Sequence, residues 1–412
     1  MSRRAPALTA LVLLLVLGGV ALLLVPFDVL PGAHPVVDVA RDFTPAQLAR
    51  EEAFHRALRP SAYASLVLAL VVALVLGLTR LGSRLVARLP GGWPGQVVLG
   101  VLALTLLGRL ATLPLDLRSE LVLRDYGLST QTWGSWALDE AKGVLVAGVP
   151  AALALLVVLA LVRRLPRTWW AWSAGALAAL VVAGSFAYPV VVEPAFNSFQ
   201  PLPAGTLRDD LLALAREDGV PVRDVLVADA SRRTTALNAY VSGFGSTRRV
   251  VVYDTLVTTA SPEEVELVVA HELGHAKRGD VLVGTALGAL GGAAAVCLLA
   301  ALLSFPALLA RVGARGPGDP RAVPLVLALV AGGTLLTMPA VNLVSRRIEA
   351  RADLHSLQLT GDVDTFIRSE QRLAVSNLSD LAPNRLAYLL LADHPSGPER
   401  IALARSFAQE QR

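Results

Sequence analysis

The chain has 412 residues, 54% of them hydrophobic and only 17% charged, with a mean hydropathy of +0.57. Soluble domains carry about a quarter charged residues, so an ordinary water-soluble protein is excluded. The net charge is a modest +4, lysine occurs only at Lys142 and Lys277, and no basic face interleaved with aromatics is present, so nucleic acid is not an expected partner.

Crossing a bilayer takes about 20 apolar residues of helix, because the backbone must satisfy its own hydrogen bonds there. Seven runs qualify: 5–26, 62–78, 96–114, 143–162, 169–191, 281–309 and 323–344. The first follows Met1–Arg4, but no small-residue cleavage site follows it, so it is read as a retained span. The third carries Arg109 near its end, and the sixth is long enough to tilt or protrude. The single cysteine, Cys297, lies inside the sixth run, which excludes a disulfide framework and a cysteine metal site. Its expected role is that of a small buried apolar residue. Gly284, Gly288 and Gly292 in the same run are spaced to admit a neighbouring helix.

Five runs precede a polar block at 193–280 and two follow it, with a second polar block at 346–412. "RRLPR" at 163–167 is long enough only for a turn. In the first block, residues 207–218 have helical periodicity, while 222–230, 238–244 and 248–257 read as short strands with a turn at Gly243 and Gly245. A helix is predicted over 262–278: Ser261 is an N-cap, Glu264 completes a capping box, Pro262 suits the first position, and Gly279 terminates it.

That helix contains "HELGH" at 271–275. Residues four apart share a helix face, so His271 and His275 can occupy two corners of a zinc tetrahedron with Glu272 beside them to activate water. A third ligand is expected from "NLVSRRIEARADLHS" at 342–356, which leaves the seventh run as a helix. Glu349 and Asp353 lie four apart on one face there, with Asn342 and Arg346 on or near it. A carboxylate ligand at Glu349 gives a His, His, Glu set with one position open. Both metal helices are expected to continue membrane helices, which places the ion at the membrane surface.

These motifs, with "SRRTTALNAYVSGF" at 231–244, "RRVVVYDTLV" at 248–257 and "NLSDLAPNRLAYLLLADHPSGPER" at 377–400, resemble the type I CAAX prenyl proteases, integral-membrane zinc metallopeptidases that include the a-factor converting enzyme. "ELVLRDYGLSTQTWGSWALDEAKG" at 120–143 is similar more loosely. The resemblance implies a mainly α integral membrane protein of seven transmembrane helices enclosing a chamber, with a small α+β zincin-like metalloprotease domain. It divides the chain into five spans (1–191), a protease domain with the HELGH helix (192–280), spans six and seven (281–344), and a third-ligand helix with the C-terminal part of the protease (345–412). It further implies one Zn2+ held by His271, His275 and Glu349, Glu272 as general base and Asp353 as proton donor. Asn238, Ala239 and Tyr240 would lie on an edge strand that pairs with a peptide backbone. His394 would be a transition-state donor supported by Arg400, the alternative being a structural role for both.

The expected partners are a peptide or protein substrate, with or without a lipid, and the bilayer of the cell membrane. Two rival readings are a heat-shock-type quality-control metalloprotease and a non-catalytic receptor or transporter with a vestigial site. The seven runs disfavour the first, and the intact Glu272 and histidines disfavour the second. Short connections around Arg3–Arg4, 80–88, 163–167 and 311–321 hold eleven arginines, which the positive-inside rule places in the cytoplasm, so the metal site would face outward. The resemblance implies a cytosolic site instead.

Overall fold

The computed structural model describes residues 4–411 apart from 33, 34, 244, 246 and 247. Phe244, the last residue of one expected strand, therefore lies outside the described residues. Among the described residues, seven helices are long and apolar enough to cross a membrane. In chain order, α1 (Arg4–Leu24) leads to a short α2 (Val39–Asp42), α3 (Pro45–Leu78), α4 (Arg80–Ala87), α5 (Gly92–Asp125), α6 (Trp133–Arg164) and α7 (Trp169–Ala187). A π-helical turn, Tyr188–Val192, and α8 (Glu193–Phe196) bring the chain into the polar block. There β1 (Phe199–Pro201), α9 (Thr206–Glu217), β2 (Asp224–Ala228), β3 (Ala239–Ser242), β4 (Arg249–Tyr253), α10 (Asp254–Thr259) and α11 (Pro262–Arg278) follow. The chain ends with α12 (Asp280–Leu303), α13 (Pro306–Val312), α14 (Val323–Thr360), α15 (Val363–Ser376), α16 (Arg385–Leu391) and α17 (Gly397–Glu410).

The expected spans are all present, but several run further than their apolar cores. The 34 residues of α3 reach about 51 Å at 1.5 Å each, well beyond a hydrocarbon core of about 30 Å. A capping box between Thr44 and Gln47 starts this helix, so its polar half, with Arg50, His55 and Arg59, stands clear of the apolar half. The sixth span is shorter than expected. Phe305 takes an extended conformation before Pro306, as residues before proline do, so α12 stops at Leu303 and α13 is separate. Arg109 is neutralised where it lies: it donates to Glu140 of α6 at 2.6 Å and to Asp116 at 2.6 Å.

Small residues set the helix crossings. A Cβ on Gly292 would meet Leu177 of α7 at 3.3 Å and one on Gly288 would meet Val181 at 3.6 Å, whereas Gly284 faces open space. Cys297 is fully buried beside Ala10 of α1 and Ala174 of α7. The closest approach is between α3 and α14, where a Cβ on Gly77 would lie 2.2 Å from the Ala328 Cβ and 2.5 Å from the Pro324 carbonyl oxygen.

The polar block folds as a four-stranded sheet in the order β1-β2-β4-β3. β2 and β4 are parallel, and the other two pairings are antiparallel. One face packs on α9 and α11 through Leu211, Val225, Val250, Val252, Val265, Val269 and Leu273. Residues 254–257, expected to prolong β4, instead begin α10: the Asp254 carboxylate accepts the backbone amides of Ser231 and Thr255 and turns the chain there. β3 is left at the sheet edge.

A Gly77→Ala substitution forces a methyl into backbone that cannot yield. It should lower the thermal midpoint in detergent by the equivalent of about 1–3 kcal/mol, as overpacking does. Gly108→Ala, which meets open space, should leave the midpoint unchanged or raise it. Equal midpoints for the two variants would remove the α3–α14 crossing from the account.

Candidate metal centre

The HELGH helix has the ends its sequence dictates. Ser261 accepts the Glu264 amide at 3.3 Å, Glu264 accepts the Ser261 amide at 2.9 Å, and Gly279 closes the helix at φ +66°. That left-handed residue separates α11 from α12, so only α14 carries a membrane span into the site without a break. α14 crosses α11 at Gly274, where an added Cβ would meet the His355 Cβ, Cγ and Cδ2 at 3.0–3.1 Å. Three bonds hold the crossing: Ser356 Oγ donates to the Leu267 carbonyl at 2.8 Å, and Asp218 bridges His355 Nε2 at 3.1 Å and Lys277 Nζ at 2.6 Å.

This crossing brings Glu349 to His271 and His275. The two Nε2 atoms are 3.1 Å apart, with Glu349 oxygens 3.2 Å from His271 Nε2 and 3.6 Å from His275 Nε2. Ligands about 2.0–2.1 Å from a tetrahedral zinc ion would be separated by about 3.3 Å, close to these spacings, so the three side chains are near enough to share one ion. The imidazoles show the same pull toward positive charge. Burial lowers the affinity of His271 for a proton, but Asp353 and Glu349 outweigh it and hold the group up at about 9. At His275 burial is likewise outweighed by Asp280 and Glu349, which push it up to about 10. A dication at the common point takes the place of those protons. The residues therefore fit a divalent metal ion.

Each histidine is held from behind. His271 Nδ1 donates to Asp353 at 2.9 Å and His275 Nδ1 to Asp280 at 2.9 Å, which leaves both Nε2 atoms aimed at the centre. Asp280 is also paired with Arg351. Asp353 is fully buried, and Arg400 Nε lies 2.9–3.0 Å from its oxygens while Arg400 Nη1 meets Glu370 at 2.9 Å. Burial lifts the Glu370 carboxyl to about 7, against the pull of Arg400.

Glu272 does not join the donor set. It lines a cavity of about 1150 Å³ together with Asn238, Ala239, Tyr240, His394 and Arg400. Burial raises the Glu272 carboxyl, both imidazoles pull it back, and the Val241 backbone amide bonds to it. His394, at the rim, has Nε2 3.5 Å from Glu349 and Nδ1 2.9 Å from Asp393. Arg346 and Asn342 set that rim, donating to the carbonyls of Tyr388 at 3.0 Å and Leu389 at 3.2 Å at the end of α16. Sequence reasoning had missed several participants, among them Asp280, Glu370, the packing role of Gly274, and Asn377. The last accepts the Leu237 amide at 2.9 Å and donates to the Leu237 carbonyl at 3.2 Å, fixing the entry to β3. A signal existed only for Asp280, which lies five residues past His275, just beyond the helix stop.

Seven helices able to cross a membrane, together with a His, His, Glu donor set and an adjacent glutamate, define the class of membrane-embedded metallopeptidases. Residues 201–408 match the model of peptidase family M48, and residues 52–198 match that of the CAAX prenyl protease N-terminal region with five membrane helices. The chain belongs to peptidase family M48. A Bacillus subtilis protein described as uncharacterized metalloprotease YhfN is 33% identical over 308 residues, covering 74% of this chain and 72% of the relative. CAAX prenyl protease 1 of Saccharomyces cerevisiae is 27% identical over 315 residues, covering 72% and 69%. The crystal structure of S. mikatae Ste24p shares the fold, with a TM-score of 0.80 at 21% identity over 96% of this chain and 98% of that one. The family implies a divalent metal ion.

Asp280→Asn keeps the shape of the side chain but weakens its hold on His275. Metal affinity, measured by chelator competition, should fall about 10–100-fold, the usual cost of losing such a support. Affinity equal to that of the unaltered protein would remove Asp280 from the centre.

Proposed function

We propose that the chain is a zinc endopeptidase that cuts extended, membrane-associated peptide segments at the mouth of its cavity. The carrying observation is that His271, His275 and Glu349 converge on one point while Glu272 and the free edge of β3 face the same cavity. Two imidazoles and a carboxylate are the donors of catalytic zinc sites, where the ion supplies a Lewis acid and lowers the pKa of water.

The chain's own groups divide the remaining work. Glu272 takes the proton of the attacking water; burial favours its protonated form, which suits a group that must accept a proton and pass it on. His394 donates to the oxygen on which charge develops. The role of Asp353 is positioning rather than the proton donation expected from the resemblance, because its oxygens are engaged by His271 and Arg400 and it is fully buried. Arg400 acts through Asp353. The peptide adds to the sheet as a strand beside β3, with residues 238–240 beside it, so recognition runs mainly through the backbone. The names of several relatives support a membrane-associated substrate, and whether a lipid is required is tested by comparing farnesylated and unmodified forms of one peptide.

Glu272→Gln should retain the full complement of zinc by elemental analysis while kcat on a fluorogenic peptide falls about 10²–10⁴-fold, the usual contribution of a general base. Undiminished cleavage in that variant ends the mechanism. Asn377→Ala frees Leu237 and should raise KM for the same peptide more than it lowers kcat. A loss confined to kcat would show that β3 does not hold the substrate.

A further inference from the structure

We infer that the metal centre opens on the non-cytoplasmic side of the membrane, so that the enzyme takes peptide segments presented outside the cytoplasm. The substrate half of this inference rests on the peptidase reading above; the orientation half does not.

The structure gathers the short connections of one end together. Arg163 Nη1 donates to the Gly318 carbonyl at 3.1 Å, and its guanidinium lies 5.0 Å from the centre of the Trp93 ring. Arg311 Nε donates to the Leu78 carbonyl at 3.0 Å, and Arg163, Arg315 and Arg321 line a single cleft with Gln96. The start of α1 belongs to the same end, because Ala10 packs beside Val296 and Cys297 late in α12, whereas the Leu24 carbonyl accepts from Arg351 near the metal site. The start of α1 at Arg4 and the segments 79–91, 163–168 and 304–322 thus form one surface; counting Arg3, the neighbour of Arg4 in sequence, these connections carry eleven arginines and a single acid, Asp319.

The metal centre lies at the other end. Asp280, which supports His275, opens α12, whose 24 residues then run about 36 Å to the arginine-rich end. On α14 the 26 steps from Val323 to Glu349 give about 39 Å. Either distance exceeds the hydrocarbon core of about 30 Å, so the two ends face opposite aqueous phases.

Orientation follows lysines and arginines in short connections near span ends, while long polar segments are translocated largely regardless of charge. The short connections at the site end carry fewer bases. The turn at 126–132 has no charged residue, and 25–44 has only Arg41 against Asp28, Asp38 and Asp42. Bases on the flanking helix ends there are tied to acids, as in Arg56–Glu52, Arg59–Asp380, Arg124–Glu120 and Lys142–Asp139. The eleven arginines therefore face the cytoplasm and the cavity faces out. This is opposite to the side implied by the family resemblance. A lipid-bearing chain end confined to the cytoplasm would not reach this site.

Cysteine labelling tests the orientation on the full chain in cells. In a Cys297→Ser background, Ala213→Cys places an exposed thiol on α9 at the site end, and Thr168→Cys places one in the arginine-rich surface. A membrane-impermeant maleimide should label Ala213→Cys equally before and after permeabilisation, and Thr168→Cys only after it. The reverse pattern overturns the inference, as does labelling of both positions in intact cells, which would mean mixed orientation. Protection of both until lysis overturns it equally. Activity in detergent is blind to sidedness, so failure here is distinct from failure of the Glu272→Gln test.

Discussion

The site depends on one steric constraint, the crossing of α11 and α14 at Gly274. Without a side chain there, His355 lies against the helix backbone and the two axes come close enough for Glu349 to meet both histidines. Glu349 lies six positions before His355 on α14, so a displacement at the crossing is carried along the helix to the Glu349 carboxylate. The glycine in the motif is thus a packing requirement, while the flanking histidines and glutamate are the groups proposed to carry the chemistry. The Ser356–Leu267 and Asp218–His355 bonds keep the approach from relaxing.

Behind the ligands lies a chain of alternating charge: imidazole, Asp353, Arg400 and Glu370. Each member is buried or nearly so, and removing one partner from such a set typically costs about 3–5 kcal/mol because an uncompensated charge remains. The network joins α11, α14, α15 and α17, elements spread over more than a hundred residues. The expected boundary between residues 344 and 345 falls inside α14, a continuous helix. The seventh span and the start of the second polar block therefore share one continuous helix, and Glu349 lies on it.

Much of this was legible in sequence because local rules decide it. The capping box at Ser261–Glu264 and the stop at Gly279 bound α11 as expected, and helical spacing put His271 and His275 on one face. The apolar runs located all seven spans. Span ends were less legible, since a polar extension such as the first half of α3 is stabilised by its neighbours and not by hydropathy. Phe305–Pro306 was a readable break that length alone obscured. The partners of Asp280 and Asp353 were less legible: spacing puts Asp280 just past the helix stop and Asp353 on the ligand face, but nothing in sequence marks which acid an imidazole already occupies.

The brevity of β3 sets the scale of what can be presented to the site. Its four residues, Ala239–Ser242, extend about 13 Å, enough to register only a few residues of a partner strand. On the proposed reading, a folded domain seldom has such a stretch to lend, because most of its strands are paired, its edge strands are fixed in place and its loops are curved. Selection would then act on local unfolding: chain ends, stripped loops and damaged segments would qualify whatever their side chains, and a protein would be spared by staying folded.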